Sequence, residues 1–240
     1  MPVYQLIDEY IFPDPALCEP DGLLAIGGDL SKGRLIEAYS KGIFPWYSEG
    51  QPIMWWSPDP RMVLFPENFI RHKNLRKTIV SNKFVVSFDS MFEQVIKQCS
   101  SVPRKNQDGD TWITDEMKNA YIELHKAGIA HSVEVCFQNK LVGGLYGLSL
   151  GGCFFGESMF HTVNDASKVA LWYLVDRLSA WEFNIIDVQQ ETNHLKSMGA
   201  TAIDRKEFLL LLSDSVKKES FIGSWTNLND YEPITNNRNQ

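Results

Sequence analysis

Cysteine is scarce and scattered. Cys18, Cys99, Cys136 and Cys153 form no C-x-x-C pair and no metal-ligand pattern, which argues against a disulfide framework and for reduced thiols in a reducing compartment. Long apolar runs are also missing, so no stretch reaches the ~20 residues of a membrane span. The opening Met-Pro-Val-Tyr-Gln has no basic-then-apolar leader. A cytoplasmic protein with no membrane contact is expected. Positive charge is in deficit, with 23 Lys+Arg against 30 Asp+Glu and a net charge of −7. Any polyanion must therefore bind a local patch and not the whole surface. Tryptophan is the residue in excess: there are seven, and Trp46, Trp55, Trp56 and Trp112 lie in the first half.

Residues 1–29 are rich in turn formers (Pro13, Pro15, Pro20, Gly22, Gly27, Gly28) and read as a short strand with loops. Ser31 to Lys41 has the cap, the apolar face and the terminal glycine of a helix. Gly-Ile-Phe-Pro-Trp (42–46) and Trp-Trp-Ser-Pro-Asp-Pro-Arg (55–61) set aromatics beside prolines, which suits either the core of a small domain or a stacking surface for a ring. A boundary is expected near residue 63, dividing a small N-terminal domain (1–63) from a larger one (64–240). Residues 71–83 hold Arg71, Lys73, Arg76, Lys77 and Lys83 with no acid among them. That run is either a solvated helix face or a phosphate contact.

From Phe84 the periodicity alternates regularly. Strands are expected at 84–88, 131–137, 141–150, 153–158, 183–189 and 200–203. Helices are expected at 90–99 (Ser90 and Glu93 as a capping box), from Thr114 to about Ala127, from Asn164 or Asp165 to about Ala180, before Gly199 and over 207–212. Residues 100–111 read as a polar loop and the end of the chain as a loose tail. This α+β order resembles the GNAT acyltransferase fold, whose central sheet splits between its fourth and fifth strands. The matching strands here are 153–158 and 183–189. Both are apolar runs carrying polar groups that are expensive to bury unpaired: Glu157 on one, Asp187 and Gln189 on the other. As strand residues two apart, Asp187 and Gln189 share a face. The segment His161–Ser167, where such enzymes place a glycine-rich pyrophosphate loop, has no glycine and carries an acid, which argues against coenzyme A.

The runs 22–30, 42–47, 55–61, 111–114, 131–135, 141–147 and Phe-Gly-Glu-Ser-Met-Phe (155–160) resemble those of the leucyl/phenylalanyl-tRNA–protein transferase family. So do Ala-Ser-Lys (166–168), Ile-Asp-Val-Gln (186–189) and His194 with 195–200, so that the resemblance spans residues 10–210. It implies transfer of Leu, Phe or Met from aminoacyl-tRNA to the N-terminal Arg or Lys of acceptor proteins, which are thereby marked for N-end rule degradation. That chemistry is aminolysis of an activated ester and calls for no metal and no cofactor, only orientation, a neutral amine and stabilisation of a tetrahedral centre. The catalytic set it implies is Asp187, Gln189 and Glu157. Asp187 would orient Gln189 and help accept the amine proton, Gln189 would bond the acyl group or the amine, and Glu157 would meet a cationic acceptor. The aminoacyl pocket falls on Leu145, Phe154, Gly156, Met159, Leu171, Leu174, Leu178 and Ile186. The terminal adenosine falls on Trp46, Trp112 and Tyr121, and tRNA phosphates on Lys73, Arg76 and Lys77. A monomer is expected. The competing readings are a coenzyme A-dependent N-acetyltransferase of the same fold and a tRNA-binding scaffold without chemistry. The first lacks its glycine loop, and the second has no use for the three polar groups together.

Overall fold

The computed structural model describes residues 3–101 and 112–226. The expected polar loop therefore lies outside the described residues except for Ser100 and Ser101, which end a helix, and the polar tail lies outside them altogether. The N-terminal part contains β1 (Tyr4–Leu6), β2 (Leu23–Gly27), α1 (Lys32–Ser40), β3 (Phe44–Pro45) and β4 (Met54–Trp56), with the strands in a four-stranded sheet ordered β1-β2-β4-β3. Trp55 is fully buried in it, edge-on to Phe12 at 4.9 Å, and its indole N–H donates to the Gly27 carbonyl at 2.8 Å. Trp56 donates to the Trp46 carbonyl at 2.7 Å and packs edge-on against the Trp46 ring. Trp55 thus belongs to the core, whereas Trp46 stays half-buried.

The larger part runs β5 (Arg61–Leu64), α2 (Lys73–Val80), β6 (Val85–Phe88), α3 (Phe92–Ser101), α4 (Asp115–Lys126), β7 (Ala130–Phe137), β8 (Lys140–Leu150), β9 (Cys153–His161), α5 (Ala166–Ala180), β10 (Ile185–Gln189), α6 (Asn193–Ser197), β11 (Thr201–Ile203) and α7 (Arg205–Ser215). Its strands form a seven-stranded mixed sheet ordered β11-β5-β10-β9-β8-β7-β6. From β6 onward the elements follow the expected order, and the fold is α+β with a GNAT-like split sheet. The division expected at 63/64 falls inside β5, which pairs antiparallel with β10, Val63 opposite Asp187.

Alternate residues of the central strands face two separate apolar layers, as the strand period of two requires. Val63, Phe155 and Ile185 pack with α1, α3, α4 and α7, whereas Leu64, Phe154 and Ile186 pack with α2 and α5. Most of α5 is buried, its long apolar face together with Ser167, Asp176 and Arg177. Gly143 lets it approach β8: a Cβ there would stand 2.5 Å from that of Ala166. Thr114 caps α4 as expected, its Oγ accepting from the Met117 N–H at 3.2 Å. Ser90 does not cap α3. Its hydroxyl turns back to the Phe88 carbonyl at 3.1 Å, and its N–H goes to Glu134 at 3.3 Å.

The split is visible in the pairing. β9 and β10 run parallel with Cys153, Phe154 and Phe155 opposite Ile185, Ile186 and Asp187, and the pairing then stops. β9 stays bonded to β8 as far as His161. β10 meanwhile bulges against β5 between Asp187 and Gln189, and Gln189 adopts φ 55°. A bulge with a left-handed non-glycine residue bends its strand away from a straight course, and here it opens the sheet.

Candidate active site

At the mouth of the split, Glu157 gathers side chains from three other elements. Its Oε1 accepts from the Tyr39 hydroxyl of α1 at 2.7 Å and from the Gln189 amide of β10 at 3.2 Å. Its Oε2 accepts from the Tyr121 hydroxyl of α4 at 3.0 Å, and the two tyrosine hydroxyls also bond each other. Burial raises the Glu157 pKa, the tyrosine hydrogen bonds pull it back, and the result stands at about 7, well above its ordinary 4.5. Burial beside this carboxyl pushes both tyrosines well above their ordinary range, so they act as neutral donors.

Asp187 is fully buried and bound on both oxygens by Arg61, Nε to Oδ1 at 2.8 Å and Nη2 to Oδ2 at 2.7 Å. Arg61 is itself fully buried, with its guanidinium carbon 4.8 Å from the centre of the Phe44 ring and 4.6 Å from that of Phe208. Such a desolvated, bidentate pair is rigid. Asp187 Oδ1 also accepts the backbone N–H of Gln189 at 3.0 Å, which pins the bulge. The aspartate thus fixes the position from which Gln189 reaches Glu157.

Above these groups is a cavity of about 770 Å³. Its lining combines the apolar Leu145, Phe154, Gly156, Met159, Leu171, Leu174 and Ile186 with the aromatic Trp46 and Trp112 and the polar Glu157 and Gln189. A volume of this size holds an aromatic side chain together with a nucleoside, and an apolar wall with few placed polar groups is the usual make-up of a ligand site. Among the described residues, no helix is long and apolar enough to cross a membrane, and no group of His, Cys, Asp and Glu could hold a metal ion.

Family models for the leucyl/phenylalanyl-tRNA protein transferase match residues 63–213, and for its N-terminal domain residues 28–59. The chain belongs to that family. The leucyl/phenylalanyl-tRNA–protein transferase of Syntrophotalea carbinolica is 54% identical, covering 90% of this chain and 93% of that one. That of Myxococcus xanthus is 50% identical, covering 94% and 97%. Among solved structures, an aminoglycoside acetyltransferase from a soil metagenome aligns over 49% of this chain and 86% of its own at 15% identity and TM-score 0.37. As a member of the transferase family the chain is an aminoacyltransferase.

Of the expected catalytic, pocket and adenosine residues, all but Asp187, Tyr121 and Leu178 line this cavity. Both oxygens of Asp187 are bonded, to Arg61 and to the Gln189 backbone. Tyr121 shows no ring face to the cavity. It is fully buried, edge-on to Tyr146, with its hydroxyl on Glu157. Leu178, also fully buried, lies about 6 Å along α5 from Leu174 and below the cavity. In the basic run, Lys73, Arg76 and Lys77 are exposed on one face of α2, opposite the buried Leu75 and Ile79. Arg71 instead pairs with Asp176 at 2.5 Å and lies over Phe69 and Trp172, while Lys83 lies over Phe84 and Phe137. Sequence reasoning missed Tyr39 and Arg61. Arg61 did leave a signal, a cation heading the otherwise apolar run Arg-Met-Val-Leu, which requires a buried partner. Tyr39 left none, since an aromatic on a helix's apolar face reads as core.

Proposed function

We propose that this aminoacyltransferase moves Leu, Phe or Met from the 3′ end of aminoacyl-tRNA to the N-terminal Arg or Lys of acceptor proteins, marking them for N-end rule degradation in the cytoplasm. The observation that carries this reading is the joining of an apolar pocket, an aromatic pair and a Glu157–Gln189 polar edge in one cavity. The aminoacyl side chain occupies the apolar side, where flexible Met159 adapts to branched and aromatic donors alike. The terminal adenine stacks at Trp46 and Trp112, worth ~1–3 kcal/mol per base. The rest of the RNA is held through its phosphates by Lys73, Arg76 and Lys77, with little sequence readout.

The acceptor's neutral α-amine attacks the ester carbonyl. The new C–N bond forms, the bond to the adenosine 3′-oxygen breaks, and the proton lost by the amine is balanced by the one gained by the departing 3′-oxygen. The Gln189 amide, held at φ 55° by the Asp187–Arg61 pair, is placed to bond the tetrahedral centre. Glu157, with a pKa of about 7, exchanges its proton near neutrality and as carboxylate attracts the cationic acceptor.

The test mixes purified protein with Leu-, Phe- or Met-tRNA and a peptide beginning with Arg, Lys or Ala. One added residue on the Arg and Lys peptides, and none on the Ala peptide, is the expected result. Tight tRNA binding with every peptide left unchanged would instead support the scaffold reading.

A further inference from the structure

His161, Lys168 and His194 line the main cavity together with one acid beside them, Asp165. That acid is tied up: Lys168 Nζ lies 3.1 Å from Asp165 Oδ1, and the lysine is still 39% exposed. Ser167 Oγ lies 3.2 Å from His161 Nδ1, which ties the first turn of α5 to the end of β9. Burial first, and then the neighbouring Lys168 and His161, lowers the His194 pKa, so these three side chains lie close enough to influence one another. A second cavity, of about 420 Å³, is lined by His72, Lys73, Asn74 and Leu75 at the start of α2 and shares Asp165 and Lys168 with the first. Lys168 therefore stands on the wall between the main cavity and the exposed basic face of α2. An RNA chain whose stem lies on α2 and whose last nucleoside lies in the main cavity has to pass this lysine.

We propose that Lys168, with His161 and His194 beside it, binds the phosphodiester joining the last two nucleotides of the donor RNA. The inference rests on the functional reading above and adds a phosphate subsite inside the cavity, separate from the α2 patch. Lysine serves here as a point charge, and the N-terminal end of α5, with its positive dipole, adds to it. In place of the glycine loop that a pyrophosphate would use, the lysine charge neutralises a single phosphate and the two imidazoles stand beside it to hydrogen-bond it.

The test compares two small donors, the Phe ester of adenosine and the Phe ester of cytidylyl-(3′→5′)-adenosine, each with an Arg-starting peptide and the full-length protein. The readout is the ratio of kcat/KM for the dinucleotide to that for the nucleoside, which is insensitive to any general loss of activity. Lys168→Met is expected to lower that ratio about tenfold, the size of one charge-assisted contact, and Lys168→Arg to restore most of it. The dinucleotide's salt dependence should also shrink, by about 0.7 in log–log slope for one phosphate. A ratio unchanged in Lys168→Met, with transfer intact, overturns the phosphate subsite alone. Absence of transfer from either donor and from charged tRNA by the wild-type protein overturns the functional reading and the subsite together.

Discussion

Removing the Arg61 guanidinium strands a buried carboxylate, and removing the Asp187 carboxylate strands a buried guanidinium. Either Arg61→Ala or Asp187→Ala is therefore expected to destabilise the fold by about 3–5 kcal/mol, read from urea or thermal unfolding. A loss below about 1 kcal/mol would mean that water relieves the pair and that Asp187 is freer than its bonding indicates. Glu157 behaves differently because its pKa is raised. Between the ordinary 4.5 and about 7 the folded protein holds a proton that the unfolded chain has released, so its stability contribution is full below 4.5 and is lost as pH rises through about 7. Glu157→Gln should flatten that part of the stability–pH curve. It should also simplify the activity profile. Wild-type kcat/KM should rise with two ionisations, one near pH 7 from Glu157 and one from the acceptor α-amine, ordinarily near 7.7–8.0. The variant should keep only the second, and a profile of unchanged shape would show that Glu157 does not titrate in the working range.

At the scale of elements, β9 and β10 were legible because each carries polar residues in an apolar run, and such residues either pair or serve a site. Glu157 and Gln189 do both, bonding each other while lining the cavity. The bulge was not legible. Nothing in Ile-Asp-Val-Gln announces a left-handed glutamine, because the conformation is imposed by Arg61 from another strand through Asp187. That Leu178 and Tyr121 lie off the cavity was not legible for a related reason. Helical and strand periodicity tell which face a residue takes, but not whether a cavity or close packing lies against that face. Thr114 could be read as a cap because its bond is local, whereas Ser90 was diverted by Glu134 from a strand distant in sequence. Gly156 offers a prediction at this scale. A Cβ there would meet nothing nearer than the Asp187 carbonyl at 3.7 Å, so Gly156→Ala should fold normally and add a methyl to the cavity wall. One methyl in an apolar pocket is worth about 1–3 kcal/mol, so kcat/KM with Phe-tRNA should fall about tenfold more than with Leu-tRNA. Equal losses for both donors would place the aminoacyl side chain elsewhere.

Over the whole molecule, an acidic chain of net charge −7 is proposed to bind a polyanion. On that proposal the RNA meets the α2 patch, where Lys73, Arg76 and Lys77 share one exposed face. Replacing all three with Ala should weaken tRNA binding and lower the slope of log K against log salt by about two to three. An unchanged slope would move the RNA off α2. The N-terminal part also contributes more than a cover to the catalytic sheet, since Tyr39 bonds Glu157 and Phe44 packs over Arg61. The site is complete only when both parts of the chain are folded together. The account is tested most directly by single-turnover transfer from Phe-tRNA to an Arg-starting peptide, run with the wild-type protein and with Gln189→Ala. The wild type should form the elongated peptide, and the variant should do so at least about 100-fold more slowly, the cost of one donor at the reacting centre, with tRNA affinity nearly kept. An unchanged rate in Gln189→Ala, or no product from the wild type, would contradict it.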